Sequence, residues 1–572
     1  MLEFFYFLLC AALMPLAALI PGYLLAVAFT RRKGAELAAL SLAASFALIG
    51  FSAFAAYLSG MEQASVNIFC WFAASVVSLI AIFLRRRPLL PRLDSDDRLV
   101  LTALALFYAV LILQQALVPV YGGAYWYGDW WLHYDVAKFY LEKGPLDSRW
   151  FNTYTVPTRT PLYNLGASFL MSLFGSSFWV FQIAGTLMNC AFILPAYLFA
   201  RRLFGGKASL VLLFFMFFSP TLSINAAYTW PKLFSAFFVL LAAYYYIGIR
   251  NALARREKAA GGDVALCALS AGLALMSHNT TLTYIAAMLL DAGLVMLLWR
   301  RGIGWLSAGK ALLVFLLIVS PWYVWVYESY GWAGVVSANV SSSSGFVIKG
   351  WWEDKWLNLL GTVAPKFQLD WLFLYLNGAK YNFEEVSRCG PCMGVLYNGL
   401  IRWYYDNLVG AMTLTLIFSA AAGLIAIRAW KKFKIGDAIS SPHFAVALMI
   451  IASLAGAFYA TPYLDEKGWV GILLPIVLML AAYLSAAAAP VFGLAVLLGA
   501  ATEFIAIRWS HVIILAFGSI GGAVEGNYGL KAANHLVFIS DYIGDARVLL
   551  LPVAVAAQAW FVYLAYRKIK GK

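Results

Sequence analysis

Apolar residues run in long uninterrupted blocks along this chain. They lie near 3–29, 36–58, 67–84, 98–118, 177–200, 207–224, 228–249, 263–277, 280–299, 306–326, 408–428, 443–461, 469–487, 489–507 and 547–566. A block of about 20 apolar residues matches a hydrocarbon core about 30 Å thick. Inside lipid the backbone must satisfy its own hydrogen bonds, so each block is predicted to be a helix. The pattern predicts an all-α polytopic membrane protein with about 13–15 transmembrane helices. Two long polar stretches interrupt it, 119–176 and 327–407. Within the first, residues 128–142 carry Trp130, Trp131, Tyr134 and Tyr140 among polar positions. That spacing predicts an amphipathic helix lying along the membrane interface.

Composition agrees: 63% of the 572 residues are hydrophobic and 12% are charged. A soluble protein could not hide that much apolar surface. The net charge of +14 does not point to nucleic acid, because the basic residues fall in short clusters between apolar blocks. Those clusters are Arg31-Arg32-Lys33, Arg85-Arg86-Arg87, Arg201-Arg202, Arg255-Arg256, Arg300-Arg301, Lys431-Lys432 and Arg567-Lys568. With every cluster on the cytoplasmic side, the blocks alternate consistently from end to end. The N-terminus is then outside, the C-terminus inside, and the loops 119–176, 327–407, 462–468 and 508–546 face outward. The first block lacks a basic leader and a small-residue cleavage site, and reads as a retained helix. The expected site of the protein is the cytoplasmic membrane of a prokaryote, with its chemistry on the periplasmic or extracellular side.

Four cysteines, Cys10, Cys70, Cys190 and Cys267, lie in apolar blocks and read as packing residues. Cys389 and Cys392 sit in an outward loop without a surrounding βαβ pattern, so a structural disulfide is the first reading. A zinc site would need two more ligands nearby, and none cluster there. Neither a Walker motif nor a dinucleotide fingerprint is present. Ser341–Ser344 form the one biased patch. Glu503 and Arg508 read as a structural pair in a late block.

Chemistry-bearing residues gather at outward positions. Asp129 and His133 are four apart and share a helix face, while Asp135 points elsewhere. Gly128-Asp129 also reads as an ordinary helix start. Downstream come Arg159-Thr160-Pro161-Leu162-Tyr163, a block ending Arg201-Arg202-Leu203-Phe204-Gly205, then Trp230-Pro231-Lys232, Ser277-His278-Asn279 and Pro321-Trp322-Tyr323. This order resembles membrane glycosyltransferases of the GT-C type, above all the branch holding the aminoarabinose transferase of lipid A and the protein O-mannosyltransferases. The resemblance covers residues 98–330 and fades toward 485. It implies a GT-C-like fold divided into a three-helix membrane extension (1–97), a catalytic membrane core (98–326), a second external loop (327–407) and C-terminal membrane helices (408–572). The chain departs from the family at two places. Asp129 is followed by Trp130 where the family often has Asp-Glu, and Thr160-Pro161 replaces a Pro-Pro pair.

The resemblance further implies transfer of a sugar from a polyprenyl-phosphate donor to an acceptor hydroxyl, usually with inversion. The acceptor is a glycan, a lipid or a protein; membrane lipids are the other partners, and nucleic acid is not one. Asp129 takes the position of the family's first acid and is the expected general base, with Asp135 second. Arg159 takes the basic position and is expected to grip the donor phosphate. Lys232, His278 and Arg149 are further candidates for phosphate, although Arg149 reads equally as a solvated loop charge, Lys232 as a snorkelling side chain and His278 as a structural group. His133, Tyr163, Asn279, Trp351 and Trp352 are candidates for substrate contact, the two tryptophans reading also as interfacial anchors. No cofactor is indicated and a divalent metal is not favoured. Two rivals stand beside this reading. A transporter or flippase of lipid-linked sugars would need ionisable groups at the bilayer midplane, where this chain has few. An O-antigen ligase or polymerase would use histidines in its large late loop, and 327–407 contains none.

Overall fold

The computed structural model describes residues 2–90, 93–118, 129–150, 154–299, 303–339, 441–460, parts of 475–512 and 536–569. Among them the chain is helical almost throughout, as its apolar blocks require. Nine described helices are long and apolar enough to cross a membrane. They begin with α1 (Leu2–Phe29), α2 (Gly34–Ser59), α3 (Gln63–Leu84) and α4 (Ser95–Leu117). The interfacial helix α5 (Asp129–Glu142) follows, then a two-stranded ribbon in which β1 (Arg149–Trp150) pairs antiparallel with β2 (Tyr154–Thr155). Next come α6 (Leu162–Phe174), α7 (Phe178–Cys190), α8 (Ile193–Phe204), α9 (Gly206–Phe217), α10 (Pro220–Ala227), α11 (Lys232–Ala254), α12 (Gly261–Ser277), α13 (Leu282–Trp299) and α14 (Trp305–Asn339). The described C-terminal helices are α15 (Pro442–Ala460), α16 (Ile539–Ile543) and α17 (Leu550–Ile569). The expected blocks 408–428 and most of 469–507 lie outside the described residues.

Two blocks differ from their simple reading. The block 207–224 is divided between α9 and α10 at Phe218-Ser219, where Pro220 removes a backbone donor. The block 306–326 continues to Asn339 and bends at Gly331, whose φ of 67° and ψ of −167° no helical residue adopts. Helix α6 has only 13 residues, too short for a span, and is easily passed over when blocks are counted.

Burial separates core from lipid-facing helices. The windows of α7–α8 and α11 are 94% buried inside the protein, those of α3 and α17 only 22%. Helices α7, α8 and α11, with α2 and α4, thus make the interior, and α1, α3, α13 and α17 lie around them. Polar side chains tie α2 and α3 to α6: Gln63 Nε2 donates to Ser168 Oγ (2.9 Å), Asn67 Nδ2 to Ser172 Oγ (3.1 Å) and Ser52 Oγ to Asn67 Oδ1 (3.0 Å). Such bonds contribute about 0.6 kcal/mol each on average in membrane helices.

Charges collect at one end of the bundle. Arg32 pairs with Glu36 (3.2 Å) and with Asp263, Glu36 accepts from Tyr245, Arg201 pairs with Asp96 (3.7 Å), and Lys568 reaches Asp96 and Ser95. The contacts join the start of α2, α4 and α12 to the end of α8 and α17, so all these termini share one face. That is the face on which alternation places the basic clusters. Helix α11 runs from Lys232 at the opposite end to Arg255 at this one, and α12 runs back to Ser277.

Deeper within the bundle, Arg250 of α11 meets Asp291 of α13. Nε lies 2.7 Å from Oδ2, and Tyr246 Oη donates to the same oxygen at 2.5 Å. Both charged side chains are almost wholly buried. Removing one partner of a buried pair typically costs about 3–5 kcal/mol, while replacing both by apolar groups is often neutral. Asp291→Ala should therefore lower the thermal midpoint sharply, and Arg250→Met/Asp291→Leu should recover most of it. Melting of the purified variants checks both; equal melting of the single and double variants would contradict the assignment.

Candidate active site

The end of the bundle opposite the charged face is where α4, α5, α6, α11 and α12 meet. The ribbon and a 3-10 turn (Val156–Thr158) lead into Arg159, which stands extended before Pro161 starts α6. The Arg159 guanidinium lies over the Tyr154 ring, 4.4 Å from its centre, a contact that holds a planar cation by the ring face. Two residues into α6, Tyr163 and Asn164 are fully buried. A Cβ at position 185 of α7 would stand 2.5 Å from the Tyr163 hydroxyl, so Gly185 is what lets that ring seat.

His133 faces this turn from α5. Its Nδ1 lies 2.9 Å from Asn164 Oδ1, and its ring meets that of Tyr163 edge-on at 5.6 Å. An amide oxygen only accepts, so Nδ1 carries the proton. Burial first, then the charges of Arg159 and Lys232, depress the His133 pKa to about 3. The ring is neutral at any physiological pH.

Lys232 opens α11 after a break in the chain at Tyr228–Pro231. Its side chain is 8% exposed, so it does not reach out to water. Nζ lies 2.7 Å from His278 Nε2 and 5.5 Å from the Trp230 ring centre. His278 caps the end of α12, and its Nδ1 is held by the Thr280 backbone N–H (3.1 Å) and hydroxyl (2.8 Å). Burial, Lys232, Arg159 and His133, in that order, hold the His278 pKa well below its usual value. Both histidines thus titrate lower folded than the 6.5 of an unperturbed ring. The unfolded chain binds protons first as pH falls, so their contribution to stability is lost from about 6.5 downward.

The break before Lys232 needs its own support, because it leaves backbone groups unpaired in the interior. Asn189 of α7 provides most of it: Nδ2 donates to Ala226 O (3.3 Å) and Tyr228 O (3.0 Å), and Oδ1 accepts from Phe234 N–H (3.2 Å). Gln115 of α4 donates to Ala227 O (2.7 Å) and to Thr186 Oγ1 (3.0 Å). Neighbouring Gln114 accepts from Arg508 Nε at 3.0 Å. Arg508 therefore meets an amide; Glu503 lies outside the described residues.

The structure thus brings together His133, Arg159, Tyr163, Lys232 and His278 from the expected candidates, and adds Asn164 and Thr280. Asn279 opens the 3-10 turn beside His278 and is half-buried. Asp135 is half-buried on α5, and Arg149 is exposed on β1 at the rim. Asp129 is the first residue of α5, one turn before His133; its side chain lies outside the described residues, as do Trp351, Trp352, Cys389, Cys392 and Ser341–Ser344. Sequence reading missed Gln115, Thr186 and Asn189. Their signal in the sequence is that of amides and a hydroxyl inside apolar blocks. Among the described residues no group of histidine, cysteine and acidic side chains could hold a metal ion.

Buried Lys232 and His133 and half-buried Arg159 and His278 thus gather at one end of a polytopic helical membrane protein. A family model described as dolichyl-phosphate-mannose-protein mannosyltransferase matches residues 158–325. The resemblance read from Arg159–Tyr163, Arg201–Gly205 and Pro321–Tyr323 is borne out by that match, which begins after Asp129. Solved structures similar to the chain include ArnT from Cupriavidus metallidurans bound to undecaprenyl phosphate, at 16% identity and a TM-score of 0.45, covering 82% of this chain and 76% of that one. The archaeal oligosaccharyltransferase AglB from Archaeoglobus fulgidus, in complex with an inhibitory peptide and a dolichol-phosphate, is 15% identical with a TM-score of 0.41, covering 77% of this chain and 56% of that one. No curated protein matches the chain significantly.

The Asn189 clamp makes a separable prediction. Leaving a buried donor or acceptor unsatisfied costs about 1–3 kcal/mol, so Asn189→Leu should lower the melting temperature and weaken anion binding together. Lys232→Met should weaken binding with the melting temperature kept. Titration of both variants with a lipid phosphate, beside their melting curves, checks the distinction.

Proposed function

We propose that the protein transfers a sugar from a lipid-phosphate donor to an acceptor hydroxyl at the outer face of the membrane. The observation that carries this reading is the convergence of Arg159 and Lys232 with two neutral imidazoles in a buried site. As the bond from sugar to phosphate breaks, negative charge grows on the leaving phosphate. Fixed cations in a water-poor site stabilise that charge without reorganising. The helix N-termini of α6 and α11, next to Arg159 and Lys232, add their partial positive charge. The family described for residues 158–325 names a lipid-phosphate sugar as donor, which supports the same class here.

In this reading the acceptor oxygen attacks the anomeric carbon, its proton passes to a carboxylate, and the phosphate leaves with the bonding electrons. Asp129 is the proposed base, on the strength of its family position and its place one turn before His133. Inverting transfer requires the base on the face opposite the leaving group, which a residue across the site from Arg159 and Lys232 would satisfy. The lipid tail keeps the donor in the bilayer while the acceptor arrives from water, so the chemistry belongs at the boundary where α5 lies.

Two variants test the assignment. Arg159→Ala should weaken both donor binding and turnover, and Arg159→Lys should keep part of each because charge remains while the paired N–H geometry is lost. Unchanged lipid-phosphate affinity in Arg159→Ala would remove this role. Base catalysis commonly supplies about 10²–10⁴ in rate, so Asp129→Asn should lose about that much turnover with the donor still bound. Near-normal sugar transfer by Asp129→Asn in nanodiscs would return the residue to a helix start and make Asp135 the leading acid.

A further inference from the structure

His133 does something the phosphate site does not need. Three of the groups around the anion are donors: the Arg159 guanidinium, the Lys232 ammonium and the helix N-termini. His133 is fixed as an acceptor instead. Asn164 Oδ1 takes the proton on Nδ1 at 2.9 Å, and the Tyr163 ring fixes the plane of the imidazole. Nε2 therefore bears a lone pair, and the described residues offer it no hydrogen-bond partner. Burial first, and then the neighbouring cations, keep this ring from gaining a second proton, so the lone pair persists.

An acceptor among cations is a poor seat for a phosphate oxygen, which repels a lone pair. It is a poor seat for a metal ion, which the cations repel. It suits a hydroxyl, whose hydrogen points at Nε2 while its oxygen faces the positive groups. Asn164 adds to the match: it is fully buried, and its Nδ2 donor has no hydrogen-bond partner among the described residues. A lone pair and an amide donor side by side complement hydroxyl groups, each of which gives and takes a hydrogen bond. Of the two hydroxyl-bearing substrates, the donor sugar is the one tethered to the phosphate that Arg159 and Lys232 address.

We infer that His133, held by Asn164, is a specificity-determining residue that accepts a hydrogen bond from a hydroxyl of the phosphate-linked sugar. The role deepens the transfer reading and rests on it. It makes His133 an orienting contact and not the base: the proton of this hydroxyl stays where it is, and the acceptor's proton goes to the carboxylate.

The test compares ligands with and without the sugar and reads the change each variant makes to each affinity relative to wild type, because the bare monoester and the sugar-bearing diester differ also in charge. Purified protein in nanodiscs is titrated with dolichyl phosphate and with dolichyl phosphates bearing a hexose or a pentose. His133→Phe keeps a flat ring and removes the acceptor. A neutral hydrogen bond contributes about 0.5–1.5 kcal/mol net, so its loss should cost the sugar-bearing lipid roughly 3- to 10-fold in affinity. Affinity for bare dolichyl phosphate should not change. His133→Gln, whose amide oxygen accepts, should recover part of the loss, and this rescue separates the role from a packing defect. Equal weakening of both ligands, or no weakening of either, would overturn the inference while leaving the phosphate site in place. A wild type that binds neither lipid would overturn the transfer reading and this inference with it.

Discussion

Keeping a lysine ammonium inside a helical bundle at the membrane edge constrains everything around it. A charge buried there must be met by other groups, because neither lipid nor water solvates it fully. Lys232 is met by the His278 ring at 2.7 Å and by the face of Trp230. His278 can approach so closely because it stays neutral, and it stays neutral because burial first, and then the same cations, penalise its proton. The pair is thus self-consistent only while one of the two gives up a charge. A phosphate entering this site would gain its attraction from cations already in place. The protein bears the cost of gathering them at folding and spares it at the chemical step.

That arrangement depends on a break in the backbone. Lys232 is at the first position of α11, and its direction follows from how α10 ends and α11 begins. A break buried among helices exposes carbonyls and amides that lipid cannot satisfy. Asn189 bridges both sides of it, and Gln115 holds Ala227 from α4. These neutral amides are as necessary to the geometry as the charges are to the chemistry. They also explain why α7–α8 and α11 lie deepest in the protein: helices that carry polar clamps must face each other and not lipid.

The helices were legible because their cause is local in sequence: block length against bilayer thickness, and basic residues at one set of ends. Helix α5 was legible as a helix, but Tyr134 and Tyr140, expected among its membrane-surface aromatics, are buried in the protein core. What the blocks could not reveal was breakage within them, at Phe218-Ser219 and at Gly331, since a run of apolar residues has the same composition whether it is straight or bent. Of the site, Arg159, Lys232, His133 and His278 stood out as polar residues at outward positions. Their mutual proximity did not, because it arises from packing between helices distant in sequence. Asn164 is the plainest case. It reads as one polar residue in the segment after Pro161, and becomes meaningful only when His133, 31 positions earlier, is seen to donate to it.

The contrast between His133 and His278 shows how one set of charges can give like residues different tasks. His133 is buried and His278 half-buried near Arg159 and Lys232, and both are held neutral. Their ring nitrogens meet different groups. His278 Nδ1 receives a backbone N–H from Thr280, whereas His133 Nδ1 gives its proton to an amide oxygen. The first ring therefore turns toward Lys232 and belongs to the cationic wall. The second keeps a lone pair in a region otherwise made of donors. A site of cations alone would favour the spent carrier, a phosphate monoester with up to two charges, over the sugar-bearing diester, which has one. An acceptor fixed beside those cations supplies the one interaction that the spent carrier cannot make.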